Sequence, residues 1–244
     1  LEVFGLSGEQ LKDVLSRHGH IDLVGEAFGV IKMHGLNIDV SLPRRDSKRG
    51  FGHRGFDVES DAHMTVEDAA RRRDFTINAM SFDPLTNDLI DPFDGRRDLN
   101  AGLLRMVDVA TFGDDPLRVL RGMQFAARFG LTAHRDTIQE CVELFDEGMG
   151  LSVERVWEEW RKMIVQGATI SKGFKFLRES GWIMHYPELM ALVGCKQDPE
   201  RHPEGDVWTH TGFCLNAFAT LKDLDPDDKL IVGFSVLCHD LGKP

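Results

Sequence analysis

Apolar and polar positions alternate in two distinct rhythms along the chain, and the change of rhythm predicts where strands give way to helices. Leu1 to Gly5 reads as a strand and turn, and Ser7 to Arg17 as a short helix with Leu11, Val14 and Leu15 inward. Phe28 to Met33 and Leu36 to Leu42 read as two strands joined by a tight turn at His34-Gly35. Residues 43–64 carry Gly, Arg, Lys and Asp with little periodicity, which predicts a long mobile loop. Thr65 then supplies a helix cap, followed by acidic residues and alanines, so the predicted helix runs on through Arg71, Arg72 and Arg73. Ser81-Phe82-Asp83 and Asp88 to Asp91 flank a hairpin turn at Pro84 to Asn87.

Beyond the turn at Asp94-Gly95 the rhythm is almost wholly helical. Asp114-Asp115-Pro116 predicts a helix start, with an acidic cap and Pro at the first helical position. Ser152 caps another helix whose apolar face is Val153, Val156, Trp157 and Trp160. Gly173 to Glu179 reads as one more helix, with Gly181-Trp182 and Pro187 to Leu189 as an apolar loop. His202 to His210 leads into a helical run, and Ile231 to Leu237 leads into Cys238-His239-Asp240.

The totals narrow the class. At 244 residues and 42% hydrophobic content the chain can fill one large domain or two small ones. No apolar run is long enough to span a bilayer and no signal peptide is evident, so a soluble protein is expected. Cys141, Cys195, Cys214 and Cys238 are scattered without C-x-x-C pairing, which argues against a disulfide framework or thiolate zinc site and fits a cytoplasmic setting. Opening on Leu1, the chain is expected to be a fragment. A net charge of −11 and pI near 5.3 speak against nucleic acid on average. Two basic clusters, Arg44, Arg45, Lys48, Arg49 and Arg54, and Arg71 to Arg73 with Arg96 and Arg97, leave room for a local RNA footprint.

Three places carry candidate chemistry. On a continuous helix Arg71 and Asn78 share one side, and Asp74 and Asn78 share an edge. Guanidinium forks suit phosphate, and Asp or Asn beside them suits a ribose hydroxyl. A solvated basic face is the alternative, weakened by the apolar Phe75, Ile77, Ala79 and Met80 in between. Asp39, between Ile38 and Val40, is either a metal-facing carboxylate or a solvent-facing strand residue. Asp115 and Arg118, three apart, offer an acceptor and a donor to a base edge that presents an amino group, as C and A do. The plainer reading there is a helix cap with a solvated ion pair worth about 0.3–1 kcal/mol.

The stretches RRRDFTINAM and DPFDGRRDL resemble the second and third motifs of the bacterial class II tRNA nucleotidyltransferase and poly(A) polymerase family, within the polymerase-β-like superfamily. Asp114 to Arg121, Glu154-Arg155-Val156-Trp157 and the closing His-Asp pair resemble later motifs, in the family's order. The resemblance implies an α+β nucleotidyltransferase palm, N-terminally incomplete, over residues 1–105. It implies a helical neck over 106–170, and a helical body over 171–244 leading into a truncated HD domain. The family's Gly-rich loop and D-x-D pair are absent from this sequence.

By the same resemblance, CMP and AMP pass from CTP and ATP to the 3′ end of tRNA, with two Mg²⁺ ions clamping the reacting oxygens and Asp39 as the catalytic, metal-holding acid. Arg71, Arg72, Arg73, Asp74 and Asn78 hold triphosphate and ribose, and Asp115, Arg118 and Arg121 select the base. Asp114 stands where the family usually has Glu, and Glu154 and Arg155 brace the base-reading helix from behind. Residues 43–64 match a loop that helps switch from C to A. His210, His239 and Asp240 resemble the ligands of HD metal-dependent phosphohydrolases, where mixed imidazole and carboxylate donors suit Mn²⁺, Ni²⁺, Co²⁺ or Mg²⁺. A poly(A) polymerase, a CC-only or A-only enzyme, an HD phosphohydrolase and a noncatalytic RNA-binding fragment remain alternatives. Oligomeric state is open.

Overall fold

The computed structural model describes residues 1–24, 30–48 and 56–244. The chain divides between Arg73 and Asp74 into two compact units.

In the first unit, α1 (Gly8–Ser16) starts at a capping box in which the Ser7 side chain and the Gln10 side chain satisfy each other's backbone amides. β1 (Ile21–Val24), β2 (Val30–Met33) and β3 (Asp39–Ser41) form an antiparallel sheet in that order, with Ile21 opposite Met33 and Lys32 opposite Asp39. Leu11, Ile31, Val40 and Leu42 make its core, so alternation puts Lys32 and Asp39 on the other face. β1 escaped the sequence reading because Ile21-Asp22-Leu23-Val24 is too short to show a clear alternation. Phe28 and Gly29, at the start of the expected strand, lie outside the described residues.

The long loop expected over 43–64 is corrected. β4 (Arg44–Lys48) and β5 (Phe56–Ser60) pair antiparallel from Arg44 opposite Ser60 to Lys48 opposite Phe56. The wholly polar β4 pairs through backbone hydrogen bonds, which side-chain periodicity does not reveal, and the alternation of Phe56 to Ser60 is too short to mark a strand by itself. Arg49 and Arg54 of the first basic cluster lie outside the described residues. Thr65 caps α2 (Val66–Arg71) by accepting from the Asp68 amide at 3.1 Å.

The continuous helix expected through residues 65–80 is also corrected. It ends at Arg71, Phe75 takes an extended conformation, and Thr76–Asn78 forms a separate 3₁₀ turn. Phe75 is fully buried, edge-on to Phe112 and Phe125, and bridges to Met106. Burial of that ring in the core of the second unit overrides the helical propensity of the preceding residues.

The second unit opens with Asp74. β6 (Ser81–Phe82) and β7 (Leu89–Ile90) form the expected hairpin, and α3 (Gly95–Asn100) follows. Asp91 caps α3 by accepting from the amides of Gly95 (2.6 Å) and Arg96 (2.9 Å). A Cβ on Gly95 would lie 2.1 Å from the Thr76 carbonyl oxygen, so only glycine fits there. β8 (Leu103–Leu104) pairs parallel with β9 (Thr132–Ala133), on either side of α4 (Val109–Phe112) and α5 (Leu117–Phe129). α6 (Arg135–Glu143), α7 (Val153–Gln166), α8 (Ile170–Glu179), α9 (Pro187–Ala191), α10 (Val207–Ala219) and α11 (Pro226–Cys238) complete the unit.

α5 is the central helix. Val119, Leu120, Met123 and Ala127 on it are buried, and it packs against both α7 and α8. α5 and α8 approach closely because each brings a glycine to the contact. A Cβ on Gly122 would meet the Phe176 ring at 2.5 Å, and one on Gly173 the Met123 carbonyl oxygen at 2.8 Å. α5 begins at Leu117 with Pro116 at the cap, a residue later than the sequence indicated. Pro187 starts α9 where an apolar loop was expected, being suited to a helix's first turn. On α7, Trp160 is buried as expected, whereas Val153 is exposed and Trp157 half-exposed, stacked on Phe234 of α11. No helix among the described residues is long and apolar enough to cross a membrane.

Candidate functional site

In the second unit, the predicted site residues collect around the first turns of α5. Asp74 is 5% exposed and its carboxylate is fully engaged. Oδ1 accepts from the Phe75 amide at 2.9 Å and from Asn78 Nδ2 at 3.0 Å, and Oδ2 accepts from Arg121 Nε at 2.5 Å. The 3₁₀ turn brings Asn78 back onto Asp74, so their expected contact forms without the expected helix. Arg121 lies 5.3 Å above the Phe125 ring, which fixes the other side of its plane.

One turn earlier, Asp115 accepts from the Leu117 amide at 3.2 Å through Oδ1 and from Arg155 Nη2 at 2.6 Å through Oδ2. Arg155 belongs to α7, so this pair ties α7 to the start of α5. Each carboxylate oxygen retains a further lone pair for a ligand donor. Arg118 donates from Nη1 to the Thr111 carbonyl at 2.6 Å. Burial pushes its guanidinium below the usual arginine value, opposed by Asp74, Asp115 and Asp114 and assisted by Arg121. Three carboxylates thus surround two arginines at one helix end, a concentration of charge that hydrogen bonding holds in place. Glu154 is exposed in the first turn of α7 and makes no side-chain hydrogen bond or ion pair among the described residues.

Residues of the second motif that fall in the first unit have different partners. Arg72 Nη2 and Arg73 Nη2 both donate to Glu2, at 2.7 and 3.1 Å. Arg71 pairs with Glu67 one turn back at 2.9 Å. Burial and the adjacent Arg73 lower the Arg72 guanidinium below its ordinary value, and Glu2 partly offsets this. Glu2 was not singled out in the sequence, where nothing local marks it as a partner 70 residues away. Asp39 stands on β3, 68% exposed at its side chain, with Lys32 Nζ at 4.0 Å. As an exposed hard-oxygen donor it fits one ligand position of an Mg²⁺ that takes its remaining oxygens from water and phosphate. Among the described residues it joins no cluster of three potential ligands.

The third motif has a structural content the sequence did not disclose. Asp98, 2% exposed, accepts from Thr76 Oγ1 at 2.9 Å and Arg105 Nε at 3.0 Å, which locks α3 to the 3₁₀ turn bearing Asn78. Arg97 pairs with Asp94 at 3.0 Å.

A second cluster lies at α10 and the end of α11. Asp240 Oδ2 is 3.3 Å from His239 Nε2 and 3.8 Å from His210 Nε2. No hydrogen bond of good direction reaches that buried oxygen, although the Lys243 ammonium is 2.7 Å away as an ion pair. Burial raises the Asp240 carboxyl, and Lys243, His239 and His210 together more than reverse this and leave it low. His210 Nδ1 meets Glu204 Oε1 at 2.6 Å, His202 Nδ1 meets the same oxygen at 3.1 Å, and Cys214 Sγ lies 3.4 Å from His210 Nε2. Glu204, His202 and Cys214 were missed, although Glu204 and His202 sit in the same polar run as His210. A carboxylate that orients a ligand imidazole from behind is a common second contact in metal sites, so this donor set fits a divalent transition ion.

Residues 4–105 match the poly A polymerase head domain family. The multifunctional CCA protein of Stenotrophomonas maltophilia is 41% identical over 228 residues, covering 90% of this chain and 54% of that protein. That of Methylococcus capsulatus is 39% identical over 226 residues, covering 90% and 51%. The chain therefore spans about half the length of the curated relatives it matches. Among solved structures, the Bacillus stearothermophilus CCA-adding enzyme in complex with CTP aligns with a TM-score of 0.61 at 26% identity, covering 72% of this chain and 42% of that one. The Thermotoga maritima CCA-adding enzyme complexed with tRNA aligns at 0.61 and 21% identity, covering 97% and 52%, and shares the fold. Residues 4–105 are thus similar to the poly A polymerase head domain, and the chain is similar to the multifunctional CCA proteins over nine-tenths of its length.

Proposed function

We propose that the protein transfers CMP and AMP from CTP and ATP to the 3′ end of tRNA, with residues 1–105 as palm, 106–170 as neck and 171–244 as body. The observation that carries this reading is the fixed acceptor–donor pair at the start of α5. Asp115 is held from behind by Arg155 and by the Leu117 amide, and Arg118 stands one turn along. A carboxylate accepts from the amino group of cytosine N4 or adenine N6, while the guanidinium donates to the adjacent ring nitrogen. Guanine and uracil turn a carbonyl toward Asp115 and are rejected by repulsion between acceptors. Relatives named CCA proteins, and a structural neighbour solved with CTP, agree in substrate class.

In the reaction, the RNA 3′-hydroxyl attacks the α-phosphate in line and pyrophosphate leaves. Arg71, Arg72 and Arg73 bind the triphosphate in exchange for their carboxylate partners. Asn78 orients the ribose, and the buried Asp74 acts through its neighbours, holding the Asn78 amide and fixing the plane of Arg121. Asp39 contributes a carboxylate to Mg²⁺, which when bound neutralises charge on the phosphoryl oxygens. Asp114 adds to the field on Arg118, and Glu154 stands beside Arg155 at the α7 terminus.

Equilibrium binding of labelled nucleotides to this chain tests the base-reading pair. CTP and ATP should bind, GTP and UTP at least about tenfold more weakly, consistent with loss of one buried hydrogen-bond match. Equal affinity for all four would overturn it.

The convergence of His210, His239 and Asp240 favours a second activity, metal-dependent phosphohydrolysis with Mn²⁺, Ni²⁺, Co²⁺ or Mg²⁺. Hydrolysis of a 2′,3′-cyclic phosphate should survive Asp115→Ala and be lost in His239→Ala. The opposite pattern would remove this reading.

A further inference from the structure

We propose a surface binding site for a borderline transition ion, Zn²⁺, Cu²⁺ or Ni²⁺, formed by His20, Asp22 and His34 at the open end of the β1–β2 pair. It is unrelated to both sites above and rests on cross-strand geometry. The register places Ile21 opposite Met33 and Asp22 opposite Lys32, so His20 falls opposite His34, and the His34 amide donates to the His20 carbonyl at 2.8 Å. Alternate residues share a face, so His20, Asp22 and His34 all stand on one side of the strand pair. Ile31 marks the opposite side as the core, and all three candidate ligands are exposed.

The side chains already converge. His34 Nε2 is 2.5 Å from Asp22 Oδ2, the two imidazoles stack with centroids 4.7 Å apart, and one ligand atom from each residue lies within 4.8 Å of the others. Two imidazoles and one carboxylate on one face form a facial triad that leaves the remaining positions open to water or an exogenous ligand. Metal–nitrogen bonds of about 2.0–2.1 Å require the rings to turn toward a common point. Exposed side chains can do so by χ rotation without moving the strands.

Charge is also arranged for a cation. Lys32, the only basic strand residue facing Asp22 across the described register, has its ammonium 4.0 Å from Asp39 on the neighbouring strand. Asp22 is left to His34. Imidazole donors select against Mg²⁺, which prefers oxygen ligands, so the ion here would differ from the one assigned to Asp39. An ion bridging β1 to the end of β2 would also pin the edge of the sheet.

The test is calorimetric titration of Zn²⁺ into the untagged chain carrying His210→Ala and His239→Ala, which strips ligands from the other metal-like clusters. One Zn²⁺ per chain is expected. Adding His20→Ala or His34→Ala should abolish that binding, and adding Asp22→Asn should weaken it by roughly tenfold or more, the scale on which metal sites answer to a lost supporting group. Should the background variant fail to fold, Co²⁺ added to the unsubstituted chain should broaden the imidazole signals of His20 and His34. Zn²⁺ stoichiometry unaffected by His20→Ala and His34→Ala, no bound Zn²⁺, or unbroadened His20 and His34 signals would overturn the proposal.

Discussion

Arg121 reaches across 47 residues of sequence to place its Nε 2.5 Å from Asp74 Oδ2, and this pair joins the second motif to α5. Asp74 is nearly inaccessible while Arg121 keeps partial solvent contact. Removing the carboxylate leaves Arg121 uncompensated and frees Asn78. Asp74→Ala should cost about 3 kcal/mol, the low end for a broken buried pair because Arg121 can rehydrate. Urea denaturation followed by tryptophan fluorescence reads the loss. A change under ~1 kcal/mol would show that the pair does not hold this junction.

In the proposed site, Arg155 touches Asp115 and would act on a base only through it. Arg155→Ala should weaken CTP and ATP binding and narrow their margin over GTP and UTP, since Asp115 then swings without its 2.6 Å partner. Arg155→Lys should recover part of both, as a point charge replaces a fork. A stability loss with an unaltered nucleotide preference would reduce Arg155 to a packing residue.

How much of this was legible in the sequence depended on whether the determinant was local. The cap at Thr65, the hairpin at Pro84 to Asn87 and the helical rhythm of the later chain were readable because capping, turn chemistry and periodicity act within a few residues. The helix break after Arg71 was not, because it is enforced by Phe75 entering a core built from residues far along the chain. β4 was missed for a related reason, as the wholly polar Arg44–Lys48 shows no apolar alternation, and the short alternation of its partner Phe56–Ser60 carries no weight without a recognisable second strand. For the candidate site, Asp74, Asn78, Asp115, Arg118 and Arg121 were named from their motifs. Glu2, Asp98 and Glu204, which meet Arg72 and Arg73, Arg105, and His210 respectively, were not, since a lone acid gives no sign of the cation or imidazole it will meet in the fold.

The α5–α8 contact gives a stability prediction independent of charge. Gly122→Ala pushes a methyl into the Phe176 ring, which is itself 2% exposed and cannot turn away freely. A loss of about 1–3 kcal/mol is expected, the usual range for overpacking. Gly122→Ala with Phe176→Leu should regain part of it, and thermal denaturation of the single and double variants measures the coupling.

The cysteines differ in reactivity by environment. Burial pushes the Cys141 thiol far above its ordinary value, and Glu140 adds to the shift, whereas Cys238 is exposed. A thiol reagent at neutral pH should modify Cys238 rapidly in the folded chain and reach Cys141 only after denaturation. Mass spectrometry of the peptides distinguishes the two, and early labelling of Cys141 would contradict its place in the core.

The most direct test of the account is incorporation of labelled CTP and ATP, separately and together, into tRNA lacking its terminal CCA, in the presence of Mg²⁺ and in a protein spanning the full length of the relatives. The account predicts addition of two C residues and then one A, with Asp115→Ala and Arg118→Ala each relaxing the exclusion of G and U. Long A tails would move the reading to a poly(A) polymerase, and no incorporation at all would contradict nucleotide transfer and leave the His210, His239 and Asp240 cluster as the working site.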